Sequence, residues 1–301
     1  MSERKLRHKG EWKAMNYQIV TDSCCDFTQE QYEQMGVACV PLSVMWDGQV
    51  KNHFSNESAL KSFYEQMRNG LIATTSALNF RDWEEKIEPF LKEGKDVLVL
   101  AVSSGISGTY QSAMIAAEEL KELYPRRIIQ VVDSLSGSQG EGLLLWHACR
   151  MRDAGAGIGE VAQWLRAHAE RVCHWVTVND LNNLKRSGRL SGVSALVGTV
   201  LDIKPVIKVT EEGKLVSDCK VRGRKASIRM LAKKFSEYRL ASEEDVVTIA
   251  HGDCEEDAEA LESILRGEYG VKHILKSYVG PILGAHTGPG VLGLFHIGTH
   301  R

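Results

Sequence analysis

Short apolar, β-prone runs alternate with amphipathic stretches of helical period along most of this chain, and that rhythm constrains its fold more than any other feature. The runs YQIVT (17–21), VACVPLSV (37–44), DVLVLAV (96–102), RIIQVVD (127–133), HWVTV (174–178), KPVIKV (204–209), DVVTIA (245–250) and KHILKSYV (272–279) read as strands. Helices are expected over 57–69, 80–93, 108–123, 138–153, 158–171, 191–200, 224–239 and 255–267. Stretch 108–123 shows why: Tyr110, Ala113, Met114, Ala117, Leu120 and Leu123 recur at helical spacing and form one face. Runs such as VLVLAV are apolar at every position, as strands buried on both faces are. The expectation is an α/β fold with mainly parallel sheets.

With 301 residues the chain has room for two such units. The glycines of MRDAGAGIGE (151–160) interrupt two helical patterns, after which the rhythm restarts. We therefore expect an N-terminal α/β domain over 17–154 and a C-terminal one over 155–301, with a ligand cleft between them. Residues 1–16 read as a disordered extension, basic but without the apolar core of a signal peptide.

Composition narrows the function. A formal charge of −2 gives no field that would favour nucleic acid. No apolar run approaches the ~20 residues of a membrane span, so stable membrane insertion is not expected. Seven scattered cysteines without a C-x-x-C pair read as free thiols, which suits the cytoplasm, and no metal site is expected. Nor is there a phosphate loop, a G-x-S-x-G elbow or an H-E-x-x-H helix, so no cofactor is expected.

The chemistry gathers at strand ends. In AVSSGISGTYQSA (101–113) an apolar strand runs into a Ser/Gly/Thr loop, and a helix begins near Gly108. Helix N-terminal amides favour an anion there, and Ser103, Ser104, Ser107 and Thr109 can join them. A helix cap needs one hydroxyl; this loop carries four. The theme returns at Thr74, Thr75, Ser76 and Asn79, at Asp22 and Ser23 of TDSCCDFT (21–28), and in VVDSLSGSQGEG (131–142). Asp26 is equally readable as a helix cap. Near the C-terminus GAHTGPGVLG (284–293) matches G-x-G-x-x-G, but too little chain follows for a dinucleotide-binding unit. What remains is His286 beside Thr287, in a glycine-rich loop open to close backbone approach by a ligand. Arginines flank glycines in LKRSGRLSG (184–192) and KVRGRKAS (220–227), a setting suited to a planar oxyanion.

These segments, in this order over 17–298, resemble the DegV family of bacterial fatty-acid-binding proteins, which includes the FakB component of fatty acid kinase. SSGISGTYQSA together with a C-terminal HTGPG carries most of that resemblance. It implies two α/β domains with a long-chain fatty acid between them, presented to a separate fatty acid kinase that makes the acyl phosphate. By the same resemblance Thr75, Ser76, Ser107, the Gly108 amide and His286 would hold the carboxylate. Ser23, Ser104, Thr109 and Thr287 would extend the pocket, and Arg222 would face the kinase. The chain departs from the family pattern at TSALN (75–79), usually T-S-Q-P-S, and at Ser187-Gly188-Arg189, usually G-G-R. The resemblance implies a binding protein without chemistry of its own. The rival is a serine-dependent acyl hydrolase using Ser107 and His286, with Asp22 or Asp133 orienting the base.

Overall fold

The computed structural model describes residues 16–51, 57–179, 181–191, 202–240 and 246–301. Its first sheet is wholly parallel, in the order β2–β1–β6–β7, from β1 (Tyr17–Asp22), β2 (Val37–Val40), β6 (Asp96–Ala101) and β7 (Ile129–Asp133). Strand β6 shows why its run is apolar throughout. Val97, Val99 and Ala101 pack with α3 (Phe80–Lys92) and α4 (Thr109–Leu123), while Leu98 and Leu100 pack on the opposite face. That second face is covered by α5 (Gln139–Asp153) and α6 (Ile158–Ala169), and α1 (Gln29–Gln34) packs beside β2. Helix α6 follows the expected boundary at 154/155, yet its Val161, Ala162 and Leu165 join the core of the first sheet.

The predicted strand 37–44 divides. Pro41 has no N–H to continue a ladder, so β2 stops at Val40 and the chain enters a small antiparallel sheet, β4–β3–β5. Its strands are β3 (Ser43–Trp46), β4 (Gln49–Lys51) and β5 (Thr74–Ser76), with α2 (Glu57–Arg68) contributing Phe63, Tyr64 and Met67 to the adjoining core.

The second sheet has seven strands in the order β13–β12–β14–β8–β10–β11–β9. They are β8 (Val172–Thr177), β9 (Leu190–Ser191), β10 (Ile203–Val209), β11 (Leu215–Arg222), β12 (Val246–His251), β13 (His273–Tyr278) and β14 (Leu292–Ile297). The two-unit α/β architecture is thus present, but here the expectation of a mainly parallel sheet is corrected: β12–β14, β14–β8, β8–β10 and β10–β11 are antiparallel, and only β12–β13 and β11–β9 are parallel. Three of those four pairings involve β11 or β14, strands that the sequence reading did not contain, and the fourth joins the expected strands β8 and β10. β11 returns from β10 through a tight turn at Thr210–Lys214, and β14 inserts its wholly apolar LGLF between β12 and β8. One face packs on α8 (Arg224–Tyr238) and α9 (Glu255–Tyr269). The other meets α5, α7 (Asn182–Ser187) and α10 (Pro281–Thr287). The expected helix 191–200 lies, from residue 192 on, outside the described residues, as do residues 1–15.

Helix α5 therefore lies between the two sheets, and its first residues, Gln139 through Leu145, are all buried. Gly140 is needed there: a Cβ would stand 2.3 Å from His174 Nε2 on β8. All seven cysteines are unpaired, as expected. No helix among the described residues is long and apolar enough to cross a membrane.

Candidate functional site

The parallel sheet brings the carboxyl ends of β1, β6 and β7 to one edge, where ligands gather in open α/β sheets. The loop after β6 is folded on itself. Ser103 O accepts from the amides of Ile106 and Ser107, and the Ser103 hydroxyl donates to Gly213 O at 2.8 Å. That last bond fastens the loop to the β10–β11 turn, which sits so close that a Cβ on Gly105 would lie 2.5 Å from Glu212 O. At its far end Ser107 Oγ accepts from the Thr109 amide at 3.2 Å and shares a 2.9 Å bond with Thr109 Oγ1. Gly108 is the N-cap of α4 and is exposed; Ser107 is half-buried. Gly137, after β7, faces Ile106, Val102 and Leu283 of α10, so an apolar contact lies directly beside this polar turn.

Strand β5 supplies the second group. Side chains alternate across a strand, so Thr75 turns inward while Thr74 and Ser76 are exposed. Thr75 Oγ1 and His286 Nε2 share a 2.8 Å hydrogen bond, whose direction follows the imidazole tautomer. His286 is not in a loop, as the glycine content suggested. It occupies the last turn of α10, a helix that starts on Pro281 at its first position. Burial, with Arg189 nearby, pushes its imidazole down to about 4, so it is neutral at pH 7. The glycines after it serve the protein's own packing rather than a ligand's approach. Gly288 and Gly290 take φ of 79° and 78°, and Cβ atoms there would collide with the amides of Asn183 and Asn179.

The two groups are tied together by residues 75–78. The Leu78 amide donates to Thr109 Oγ1 at 3.3 Å, and Ser112 Oγ donates to Leu78 O at 2.8 Å. Three residues span at most about 11 Å, which bounds the separation of Thr75 from Leu78. The departure at TSALN is absorbed by Asn79, which caps α3 and forms a capping box with Asp82. At Ser187-Gly188-Arg189 only Gly188 needs a positive φ, 68°, and the glycine is present. Ser76 turns instead toward a cleft of about 500 Å³ that also touches Pro41, Ser43, Asp82 and Glu85.

Other expected pocket residues are engaged in the fold. Ser23 Oγ accepts from the Leu42 amide at 3.0 Å, and Thr287 Oγ1 donates to Leu283 O within α10. The Ser104 amide donates to Asp133, and Thr109 is buried. Asp22 is buried as well: its carboxylate accepts from the amides of Cys24 and Val102, joining the ends of β1 and β6. Asp26 does not cap α1; Thr28 does, in a capping box with Gln31. Among the described residues no hydrogen bond joins Ser107 to His286. Asp133 accepts from the Ser104 and Leu135 amides. With both candidate carboxylates occupied by backbone amides, no Ser-His-Asp relay is assembled. Arg222 is exposed at the end of β11 and, among the described residues, forms no salt bridge.

Sequence reasoning missed the groups that hold α10. Tyr64 donates to Val279 O at 2.8 Å, and Asp26 accepts from the Gly280 amide at 2.8 Å. Gly280-Pro281, an N-terminal helix signal, was the one trace of this arrangement in the sequence.

Fold and site together describe a two-unit α/β protein with a neutral histidine, hydroxyls and a helix N-terminus near the junction of its units. The family model described as "Uncharacterised protein, DegV family COG1307" matches residues 16–299, and the chain belongs to this family. It is 37% identical over 281 residues to a DegV domain-containing protein of Clostridium perfringens, covering 93% of this chain and 97% of the relative. Among solved structures it is similar to a DegV family protein of Thermus thermophilus, described as fatty acid binding (28% identity, TM-score 0.85, 94% of this chain and 100% of that one). It is also similar to a DegV lipid binding protein of Thermotoga maritima (29% identity, TM-score 0.83, 95% and 100%).

Proposed function

We propose that this protein binds a long-chain fatty acid and presents its carboxylate to a separate fatty acid kinase, without catalysing a reaction alone. The observation that carries the reading is the Thr75–His286 pair, joined through residues 75–78 to the hydroxyls at the start of α4. A carboxylate taken out of water needs every oxygen hydrogen-bonded. In this reading Thr75, Ser107, the Gly108 amide and His286 serve as donors, while Ser76 lies on the other face of β5. A neutral imidazole bonded to Thr75 holds one proton to donate and brings no fixed charge. The acyl chain would enter beside Val102, Ile106 and Leu283 and run between the units. At about 0.8 kcal/mol per buried CH₂, sixteen carbons contribute on the order of 10 kcal/mol before binding costs. Affinity thus comes from the tail and orientation from the head. Fatty-acid and lipid binding by relatives of the same fold supports this assignment.

Presentation is assigned to the face bearing Arg222, whose charge a buried tail cannot use. Docking surfaces employ such charges to set encounter and register. The test reconstitutes lipid-loaded protein with the cognate kinase and ATP. Arg222→Ala should keep its fatty acid and lose acyl phosphate formation. Equal loss of lipid would place Arg222 in the pocket, and loss of neither would return it to a solvated face.

A further inference from the structure

We propose that Asp26 is the positioning residue of the site: its carboxylate fixes the start of α10 and thereby the imidazole of His286 at the other end of that helix.

Helix α10 has seven residues, too few to be stable alone. Its placement must come from contacts, and the N-terminal ones are supplied by the first unit although α10 lies between β13 and β14 of the second sheet in sequence. Asp26 Oδ1 accepts from the Gly280 amide at 2.8 Å, and Oδ2 accepts from Ser138 Oγ at 2.5 Å. One carboxylate thus joins the turn after β1, the start of α5 and the start of α10. Asp26 reaches this point from a left-handed backbone, φ 57°, uncommon for a residue with a side chain. Gly280 is shaped to receive it, because a Cβ there would lie 2.7 Å from Oδ1. Burial pushes the Asp26 carboxyl up to about 7, against the pull of the Ser138 and Gly280 bonds. The fold therefore tolerates an unfavourable environment for this acid to keep the junction. In either protonation state Oδ1 accepts from Gly280.

The lever arm gives the sensitivity. Six residues separate Gly280 from His286, about 9 Å at the helical rise. A tilt of about 10° at the anchored end displaces the imidazole by about 1.6 Å, enough to break a 2.8 Å hydrogen bond to Thr75.

The ligand half of this inference rests on the fatty-acid reading; the positional half does not. The experiment is a double-mutant cycle of Asp26→Ala and His286→Ala, read by palmitate titration and by amide exchange of α10 in lipid-free protein. Asp26→Ala should weaken palmitate about tenfold and raise α10 exchange. On the His286→Ala background it should add less than about twofold, because its effect passes through that imidazole. Asp26→Asn keeps an acceptor for Gly280 and should restore binding to within about threefold of wild type. A full tenfold loss on the His286→Ala background would overturn the assignment, as would unchanged α10 exchange in Asp26→Ala. Should Asp26→Ala fail to fold, Gly280→Ala displaces the carboxylate while retaining it and must give the same pattern. If no variant or wild type binds palmitate but α10 exchange still rises, the positioning stands and the fatty-acid reading falls.

Discussion

Replacing Thr75 by valine removes one hydroxyl and leaves the shape of β5 almost unchanged. In the structure that hydroxyl lies 2.8 Å from His286 Nε2, and the imidazole is half-buried and neutral. Its loss leaves a ring nitrogen without its partner and, on the proposed function, takes away a donor for the carboxylate. A hydrogen bond to a charged group contributes about 1.5–3 kcal/mol, and part of this is recovered if a water enters. The expected cost is therefore about 1–2 kcal/mol, or roughly 5- to 30-fold in affinity. Thr74→Val is the control, because alternation places Thr74 on the exposed face of the same strand, where substitutions change little, typically within ±0.5 kcal/mol. Calorimetric titration of palmitate into delipidated proteins measures both. Wild-type affinity in Thr75→Val would refute the reasoning, and so would an equal loss in Thr74→Val.

His286→Gln should flatten the acid limb of the stability curve. The folded imidazole titrates at about 4 against an ordinary 6.5. Below pH 6.5 the unfolded chain therefore binds a proton that the folded one refuses, and stability falls down to about pH 4. At about 1.4 kcal/mol per pH unit, the contribution is at most about 3.5 kcal/mol. His147 and His296 act in the same sense, while Asp26, raised to about 7, acts in the opposite sense between about pH 4 and 7. Urea midpoints at pH 7.5 and 4.5 should show a smaller drop for His286→Gln than for wild type; equal drops contradict the assignment. A fluorophosphonate probe should leave Ser107 unlabelled, since its hydroxyl is bonded to Thr109 and not to a base; stoichiometric labelling would instead favour a hydrolase.

Long periodic elements were legible in the sequence. The expected helices 108–123 and 138–153 match α4 and α5 to within a residue, the first because its turns repeat one apolar face. Short elements were not. β5 has three residues whose hydroxyls read as one more polar cluster before a helix, and α10 has seven between glycines that read as a loop. In both cases tertiary contacts, not propensity, decide the conformation. β14 was hidden by the glycine pattern at 288–293, although its LGLF run is buried between two strands. The hydroxyl clusters pointed to the carboxyl-end edge of the parallel sheet but overstated how many side chains are available there. Ser23 and Ser103 are bonded to backbone of other segments and Thr287 to backbone of its own helix, which residue type alone does not reveal. Asp26 was read as a local cap because its partners, Ser138 and Gly280, lie more than a hundred residues away.

The central claim is most directly tested by native mass spectrometry of the protein purified from a bacterial host without added lipid. A ligand whose buried tail contributes on the order of 10 kcal/mol should survive purification. The account predicts a 1:1 adduct whose mass matches a C16–C18 fatty acid, released on denaturation as the free acid. A spectrum showing only the bare chain, with no adduct after incubation with excess palmitate, would contradict it.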